Sequence, residues 1–220
     1  FSEGTTVSIQ PEPKLTGQKV VVPGDISSAA FFLVLGAIMP NSQITVTNVG
    51  INPTRTGIID VLKDMGADIT LENVHTSAGE TVANITVRSS SLKGTTVGGD
   101  IIPRLIDELP IIAVAAVFAD GQTVIKDAQE LKVKETNRIR AVVDEFNKCG
   151  IDITETDDGM IINGGKSIHG ADFKTYGDHR MAMSLTVLAQ LADSESTLDD
   201  SDCACVSYPT FFDDFYKLGE

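Results

Sequence analysis

The sequence contains no tryptophan and only three cysteines, Cys149, Cys203 and Cys205. Because three is an odd number and no CxxC pair is present, a scaffold held together by disulfides is excluded. Cys203 and Cys205 form a CxC pair with no further cysteine and no histidine close by, so the ligands that a zinc site requires are lacking. Free thiols are typical of a reducing compartment, and we therefore expect the protein to be cytoplasmic.

Positive charge is also scarce, with 17 lysines and arginines against 31 aspartates and glutamates and a net charge of −14. Nucleic acids and anionic lipids bind basic surfaces, so we expect neither as a partner. The longest apolar run, Ala29–Met39, is far shorter than the roughly 20 residues that a membrane helix needs. No signal-peptide pattern opens the chain. Since Phe1 stands where an initiator Met would, we interpret the chain as a fragment or a processed product.

One order of elements can be read three times along the 220 residues. Each unit opens with a short strand-like stretch ending in a Gly/Asp turn, continues with a strongly apolar helix, and goes on to a polar turn and a β-type strand. A helix that is apolar on all sides is usually buried on all sides. The opening stretches are VVVPGD, GTTVGGD and SIHGADF, the helices are SSAAFFLVLGAIM, DELPIIAVAAVFA and HRMAMSLTVLAQLA, and the strands are SQITVTNV, GQTVIKDA and ESTLDDS.

An amphipathic helix follows in each unit and ends at a glycine, Gly66, Gly150 or Gly219, as expected for a left-handed C-terminal cap. In the first two units a pair of strands comes next, whereas the third unit stops at Glu220, where its pair would begin. We therefore predict an α+β fold built of α/β repeats. It should consist of three βαβαββ units with pseudo-three-fold symmetry, forming an inside-out barrel with buried helices and outer mixed sheets, and the third unit should be incomplete.

These units place the predicted boundaries at about residues 20–91, 92–165 and 166–220, which together form one domain, 20–220. Residues 1–19 are interpreted as a linker and a closing strand from the preceding part of a parent chain. The reason is that TTVSIQ precedes KLTGQKVVVPGD as ITVRSS precedes SLKGTTVGGD. The third sheet should then have fewer strands than the other two, or borrow one from Thr5–Gln10 or from a neighbouring molecule.

The stretch LKVKETNRIR gathers four cations, Lys132, Lys134, Arg138 and Arg140, around one carboxylate, Glu135. We place it at the start of the second helix of unit two, where Lys134 and Arg138 share a face if both are helical. Cations at a helix N-terminus oppose the helix dipole, so stability does not explain them. A bound anion would explain them. The alternative is a solvated, charged helix end.

The turns ahead of the buried helices also carry polar residues. Unit three has YGDHR, with Asp178, His179 and Arg180 directly before the helix, and unit two has Asp107 and Glu108 at the equivalent place. The acids are good N-caps, and a lone histidine is often structural, so each has an alternative explanation. In unit one, Ser27 and Ser28 are cap candidates, and Arg55 is a candidate third cation.

Because all these turns connect a strand to a helix, the repeat should bring them to one end of the domain. Glu135, Asp107 and His179 would then face Lys134, Arg138 and Arg180. Such a rim suits an anionic substrate, with cations to hold phosphate or carboxylate and carboxylates for proton transfer.

Together, LKVKETNRIRA, YGDHRMAM, VPGDISSAAFFL and NPTRTG resemble the family of 5-enolpyruvylshikimate-3-phosphate synthases, also called 3-phosphoshikimate 1-carboxyvinyltransferases. The resemblance runs over essentially the whole chain but covers only the C-terminal half of that enzyme. It implies a transferase that moves the enolpyruvyl group of phosphoenolpyruvate to the 5-hydroxyl of shikimate 3-phosphate and releases phosphate. It also implies no redox cofactor and no obligatory metal, and a cleft shared with an N-terminal domain that this chain lacks.

The same resemblance assigns roles to individual residues. Glu135 would serve in proton transfer to the methylene carbon, and Asp107 would hold and deprotonate the shikimate hydroxyl. Lys134 and His179 would complete the catalytic set. Arg138 and Arg180 would bind phosphoenolpyruvate, and Lys134 and Asp178 are also predicted to bind substrate.

One departure from the family pattern and two alternatives accompany this interpretation. Some members carry a lysine where this chain has Val206, so that cation is absent or replaced. A domain of the related UDP-N-acetylglucosamine enolpyruvyl transferases would share the repeat architecture, although not the pair KETxR and DHRxAM. A non-catalytic folded fragment with at most weak anion binding is the other alternative, and we expect the isolated chain to be inactive.

Overall fold

The computed structural model describes residues 2–4, 6–17 and 19–218. Its α-helices within these ranges are α1 (Ile26–Ile38), α2 (Gly57–Asp64), α3 (Leu109–Val117), α4 (Arg138–Lys148), α5 (His179–Ala189) and α6 (Phe211–Lys217). Its strands are β1 (Ser2–Glu3), β2 (Thr6–Val7), β3 (Gln43–Gly50), β4 (Asp68–Ser77), β5 (Glu80–Arg88), β6 (Thr96–Val97), β7 (Gln122–Ile125), β8 (Asp152–Glu155), β9 (Met160–Asn163), β10 (Asp172–Phe173) and β11 (Thr197–Leu198). Helices and mixed sheets thus share one chain, as the sequence predicts.

The three apolar helices α1, α3 and α5 form the centre of the core. Each contacts the other two, and every residue of α3 is buried. Beyond their first turns their side chains are mostly apolar, so burial against neighbours on every side is the arrangement that removes the most apolar surface from water. The prediction of buried helices is confirmed for these three segments.

The amphipathic helices α2, α4 and α6 each bury one stripe. In α4 the buried stripe includes Ile139, Val142 and Phe146, spaced as on one helical face. Gly66 after α2 and Gly150 after α4 have φ values of +95° and +77°, the left-handed conformation predicted for these caps. The third predicted cap, Gly219, lies outside the described residues.

The strands before and after each apolar helix pair in parallel. Strand β6 pairs with β7 across α3, β10 pairs with β11 across α5, and a single bridge joins Gly24 to Val49 across α1. Antiparallel pairs complete two sheets, whose strand orders are β3-β5-β4 and β6-β7-β9-β8.

The sheet formed by the strands on either side of α5 is the smallest of the sheets that flank the three apolar helices. It has two strands, β10 and β11, against three and four in the other two sheets, as predicted for an incomplete unit. Strand β2 pairs with β1 in a separate hairpin, so the part of Thr5–Gln10 that the structure describes does not join this sheet. Thr5 itself lies outside the described residues.

Two predicted elements are placed differently in the structure. The strand expected in VVVPGD is reduced to the bridge at Gly24, and Val20, Val21 and Val22 are exposed. The helix expected from Asp107 begins as a 3-10 turn, Ile106–Glu108, and becomes α-helical only at Leu109. Pro110 explains this shift, because it has no amide hydrogen to donate to the carbonyl of Ile106.

Candidate active site

The segments that precede α3, α4 and α5 meet around the side chain of Arg138, which is 1% exposed. Its Nε donates to Asp178 Oδ2 at 2.8 Å, and its Nη2 donates to Glu135 Oε2 at 2.5 Å and to Asp178 Oδ1 at 3.3 Å. Its Nη1 donates to Asp107 Oδ1 at 3.2 Å. One buried guanidinium therefore joins three carboxylates that are distant in the sequence, and the structure brings these four predicted site residues together.

Asp178 also caps α5. It is fully buried, and its Oδ1 accepts from the backbone amides of Arg180 at 2.9 Å and Met181 at 3.4 Å. Such a cap satisfies amides that the helix leaves unpaired. Because both oxygens of Asp178 are already bonded, its predicted contact with substrate remains a prediction, and its evident task is to hold α5 against Arg138.

Arg180 contrasts with Arg138. Its guanidinium lies 3.8 Å from Asp107 Oδ2 and 3.8 Å from Glu108 Oε1. Both distances are too long for a hydrogen bond, and within the described residues its guanidinium makes none. Its side chain is 15% exposed. A guanidinium with unspent donors at a partly open position is suited to binding a carboxylate or phosphate.

Asp107 is surrounded by cations on three sides. Lys134 Nζ lies 3.5 Å from its Oδ1, in addition to the contacts with Arg138 and Arg180. Burial disfavours its ionised form, but Arg180, Lys134 and Arg138 outweigh burial and lower the pKa of Asp107 below its ordinary value. Asp107 is therefore a carboxylate at neutral pH, able to accept a hydrogen bond from a hydroxyl.

The charged stretch before α4 divides into two parts with different partners. Lys134 follows a 3-10 helix, Gln129–Val133, and α4 begins only at Arg138, with Asn137 as its cap. The condition under which Lys134 and Arg138 would share one helical face, that both are helical, is therefore not met, although both side chains reach Asp107. Lys134 also pairs with Glu130 at 2.8 Å. This bond is the main reason why the pKa of Lys134 is raised, and the nearby charge of Asp107 adds to it.

The other two cations do not surround Glu135 as predicted. Lys132 Nζ donates to the carbonyl of Asp157 at 2.7 Å. Arg140 donates to Asp144 at 3.0 Å and to Glu155 at 3.2 Å. Two of these bonds fasten the charged stretch and α4 to β8 and to the turn that follows it, so Lys132 and Arg140 make surface contacts and are not parts of the site.

His179 is the first residue of α5 and lies beside this cluster. Burial and then the positive charge of Arg180 lower the pKa of His179, while Asp178 and Glu135 oppose that change. The imidazole is consequently neutral at pH 7, and a neutral imidazole can both donate and accept a hydrogen bond.

Glu108 belongs to the same cluster, although sequence reasoning assigned it only a possible role as a helix cap. Its side chain is 2% exposed, its Oε1 has no hydrogen-bond partner, and it makes no cap bond at α3. Burial raises the pKa of Glu108, and it outweighs the Ser27 hydroxyl and the charge of Arg180, which both act to lower that pKa. The only feature of the sequence that could have pointed to a role for Glu108 in the site is that it is a second acid directly before an apolar helix.

Unit one reaches the cluster through Ser27. The predicted capping role of Ser27 is wrong, because Asp25 caps α1 by accepting from the amide of Ser28 at 3.0 Å. Ser27 is buried instead and accepts from Arg55 Nη2 at 3.0 Å. Arg55 thus stands next to the site behind Ser27, and its place as a third cation on the rim remains a prediction.

Val206 ends a 3-10 helix, Asp202–Val206, and is 79% exposed. It brings no charge to the position where some members of the resembled family have a lysine.

Among the described residues, no group of three or more histidines, cysteines or acids is arranged to hold a metal ion. In the same residues, every helix is too short or too polar to cross a bilayer.

Comparison with solved structures first defines the class of protein. The enolpyruvyl transferase NikO from Streptomyces tendae matches with a TM-score of 0.67 at 20% identity, over 88% of this chain and 42% of that one. This likeness shows the fold, which is that of the enolpyruvyl transferases. An EPSP synthase from Acinetobacter baumannii is much more similar, with a TM-score of 0.91 at 42% identity over 94% of this chain and 48% of that one.

Sequence comparisons then give the family. The family model for EPSP synthase (3-phosphoshikimate 1-carboxyvinyltransferase) matches residues 2–215. Proteins named 3-phosphoshikimate 1-carboxyvinyltransferase are 57% identical in Bacillus cereus (strain ZK / E33L) and 56% identical in Thermoanaerobacter sp. (strain X514), over 99% and 98% of this chain. The chain belongs to the EPSP synthase family. It spans about half the length of these relatives, 51% of each.

Glu108→Gln should stabilise the protein increasingly as the pH rises. An acid whose pKa is raised by folding favours the native state while protonated and opposes it once the pH passes the folded pKa. Glutamine cannot ionise, so the difference in unfolding free energy between variant and parent should grow as the pH rises above the ordinary pKa of glutamate, reaching about 1 to 3 kcal/mol. Urea unfolding at several pH values measures it. Glu72→Gln, at an exposed position of β4, is the matched control and should show no such trend.

Proposed function

We propose that this chain is the C-terminal half of a 3-phosphoshikimate 1-carboxyvinyltransferase. In the longer protein it would help to transfer the enolpyruvyl group of phosphoenolpyruvate to the 5-hydroxyl of shikimate 3-phosphate, with release of phosphate. The observation that carries this proposal is the placement of Arg180 next to the ionised Asp107, with a guanidinium that makes no hydrogen bond to any residue the structure describes. Membership of the family supplies the substrates, since the relatives are named for this reaction.

We further propose that residues 20–220 form one domain of three related units, about 20–91, 92–165 and 166–220. The parallel pairing across α1, α3 and α5 supports a common unit, and the contacts among these helices support an inside-out barrel with approximate three-fold symmetry. The two-stranded third sheet supports an incomplete third unit. Residues 1–19 would be the linker from an N-terminal domain that forms the other wall of the cleft.

Arg180 and Lys134 are the cations best placed to receive an anion. Lys134 is 23% exposed and Arg180 15%, whereas Arg138 is 1% exposed and each of its three nitrogens is bonded to a carboxylate. Arg138 can bind phosphoenolpyruvate only if Glu135 or Asp107 gives up its bond. We therefore assign first contact with the anion to Arg180 and Lys134, and contact with Arg138 to a later, tighter state.

This order gives Glu135 its role. In the described state the Glu135 carboxylate accepts from Arg138 at 2.5 Å and is 48% exposed on its other side. An anion that takes over Nη2 of Arg138 releases Glu135 and places negative charge beside it, which favours the protonated acid. Glu135 can then deliver its proton to the methylene carbon while the shikimate oxygen bonds to the neighbouring carbon. As phosphate leaves that carbon, a proton must leave the new methyl group, so that the double bond of the enolpyruvyl group forms again.

Asp107 and His179 complete the proposed chemistry. The ionised Asp107 would accept the hydrogen bond of the shikimate hydroxyl and then its proton as the oxygen attacks. His179, neutral because of its burial and the neighbouring Arg180, would donate a hydrogen bond without adding charge. The reaction needs no redox cofactor and no metal in this scheme, and the transfer would take place in the cytoplasm.

Two alternatives differ in what they predict for this chain. A domain of a UDP-N-acetylglucosamine enolpyruvyl transferase would accept a sugar nucleotide in the longer protein. A non-catalytic anion-binding fragment would bind phosphoenolpyruvate weakly and turn nothing over in any context. The activity of the longer protein with each acceptor separates these alternatives.

The 220-residue chain alone should show no measurable turnover. One wall of the proposed cleft is absent, and the rate gained by holding two substrates together is lost with it. Phosphate release from phosphoenolpyruvate and shikimate 3-phosphate measures this, with the longer protein as the positive control. Turnover by the chain alone would contradict the proposed division of the site.

Glu135→Gln in the longer protein should lower kcat by about 100- to 10,000-fold, the usual contribution of a general acid or base. The KM for each substrate should change much less, because glutamine keeps the shape of glutamate. Steady-state kinetics with both substrates provide the measurement. A kcat within a few-fold of the parent value would show that Glu135 is not the proton donor.

Arg180→Ala should raise the KM for phosphoenolpyruvate by about tenfold or more, since a charge-assisted hydrogen bond of about 1.5–3 kcal/mol is lost. The KM for shikimate 3-phosphate should change less. Arg140→Ala is the matched control, because Arg140 pairs with Asp144 and Glu155 away from the site. Equal effects of the two substitutions would count against Arg180 as the anion-binding cation.

A further inference from the structure

The turn that carries Asp178, His179 and Arg180 is bonded to a second buried carboxylate, Glu145 of α4. Its side chain is 1% exposed. It accepts from Lys148 Nζ at 2.5 Å, from the backbone amide of Lys174 at 2.8 Å and from the hydroxyl of Tyr176 at 2.8 Å. A carboxylate is tolerated in the interior when its oxygens are bonded in this way. Glu145 therefore holds the residues just before Asp178, through its bonds to Lys174 and Tyr176.

Glu145 and Arg138 act from the same face of α4. They are seven residues apart, which is close to two helical turns. Arg138 binds Asp178 at 2.8 Å, after the turn, while Glu145 binds Lys174 and Tyr176, before and within it. One helix thus holds the turn by a cation on one side and an anion on the other.

The turn itself has an unusual backbone. Tyr176 has φ = +59° and is followed by Gly177 with φ = +65°. Residues with a side chain seldom adopt this conformation, and they keep it where surrounding contacts enforce it. Tyr176 is 42% exposed, so burial of its ring is a weak constraint. The hydrogen bond from its hydroxyl to Glu145 is the side-chain contact that ties Tyr176 itself to α4, while the neighbouring backbone is held by the bonds of Lys174 to Glu145 and of Thr175 to Asp199.

We propose that Glu145, acting through the Tyr176 hydroxyl, is the positioning residue for the turn that presents His179 and Arg180. Glu145 is buried and contacts no open surface, so it cannot touch a substrate and is not a catalytic residue. Its consequence for catalysis rests on the function proposed above for Arg180 and His179. Its consequence for the structure of the turn does not depend on that function.

Tyr176→Phe is the first test, because it removes only the hydroxyl. The backbone should stay folded, since Asp199 still accepts from the amide of Thr175 at 2.8 Å and from its hydroxyl at 2.9 Å. The Lys148 pair with Glu145 is also retained. Tyr208→Phe is the matched control, because it removes a similar bond, from Tyr208 to Asp214 at 3.2 Å, in another part of the same chain.

The readout is the titration of His179 in the 220-residue chain, followed by NMR of the imidazole groups. The chain has three histidines, so His75 and His169 serve as internal references. Release of the turn should hydrate His179 and raise its titration midpoint by about 0.3 pH unit or more, since burial is the main cause of its lowered pKa. Arg180, Asp178, Glu135 and Arg138 also act on this group. Tyr208→Phe should leave the midpoint unchanged.

A His179 midpoint that does not move in Tyr176→Phe would overturn the proposal, even if the melting temperature falls as in Tyr208→Phe. In the longer protein, Tyr176→Phe should lower kcat/KM for phosphoenolpyruvate by about 5- to 100-fold, the range expected for small displacements of site residues. The KM for shikimate 3-phosphate should stay within about twofold, because Asp107 and Lys134 are not on this turn. Glu145→Gln should have the larger effect, and if it fails to fold, Tyr176→Phe still decides.

The two assays separate this proposal from the proposed function. A shifted His179 midpoint with reduced kcat/KM supports both. A shifted midpoint with unchanged kinetics supports the positioning of the turn and contradicts the roles proposed for His179 and Arg180. An unshifted midpoint contradicts the positioning role whatever the kinetics show.

Discussion

The ionic bonds of the buried Arg138 are the interaction on which the rest of the site depends. Removing a guanidinium from water costs several kcal/mol, and only well-placed carboxylates offset that cost. Asp107, Glu135 and Asp178 do so here, at 2.5–3.3 Å. Removing one partner of such a buried pair typically destabilises a protein by about 3–5 kcal/mol. Because the three acids come from three separate segments, Arg138 also fixes how the starts of α3, α4 and α5 lie relative to one another.

This arrangement changes the meaning of the positive charge in an acidic chain. Cations at the start of α4 oppose the helix dipole, and the sequence alone suggests that a bound anion must compensate them. The structure shows that internal acids compensate Arg138, and that Lys132 and Arg140 have partners elsewhere. What remains for a ligand is the guanidinium of Arg180, with Lys134 beside it as a partly exposed cation that already pairs with Glu130 and Asp107. The positive charge available to a ligand is therefore smaller, and confined to fewer residues, than the sequence suggests.

The parts that sequence reasoning predicted are those governed by local periodicity. All-round apolarity marked α1, α3 and α5, and glycine marked the ends of α2 and α4, because both signals act over a few residues. The missed features depend on tertiary contacts. Nothing near Glu108 in the sequence shows that Ser27 and Arg180 lie against it. Likewise, the sequence does not show that no other part of the described chain packs over Val20–Val22, which leaves them exposed. Lys132 and Arg140 looked equivalent to Lys134 until β8 and the turn that follows it were placed beside them.

Acids and cations are nearly balanced in the cluster around Arg138 and Arg180, and this balance limits how strongly the cluster can attract an anion. Around the open position, the three acids Asp107, Glu135 and Asp178 face the three cations Lys134, Arg138 and Arg180, and Glu108 adds a group whose burial favours its neutral form. A balanced cluster attracts a multiply charged anion only at short range, through the unspent donors of Arg180. At longer range the net charge of −14 opposes its approach. Further cations, or protons taken up by Glu135, must therefore supply the missing positive charge. Under the function proposed above, the cations would come from the second domain, and Glu135, once released from Arg138, would take up the proton.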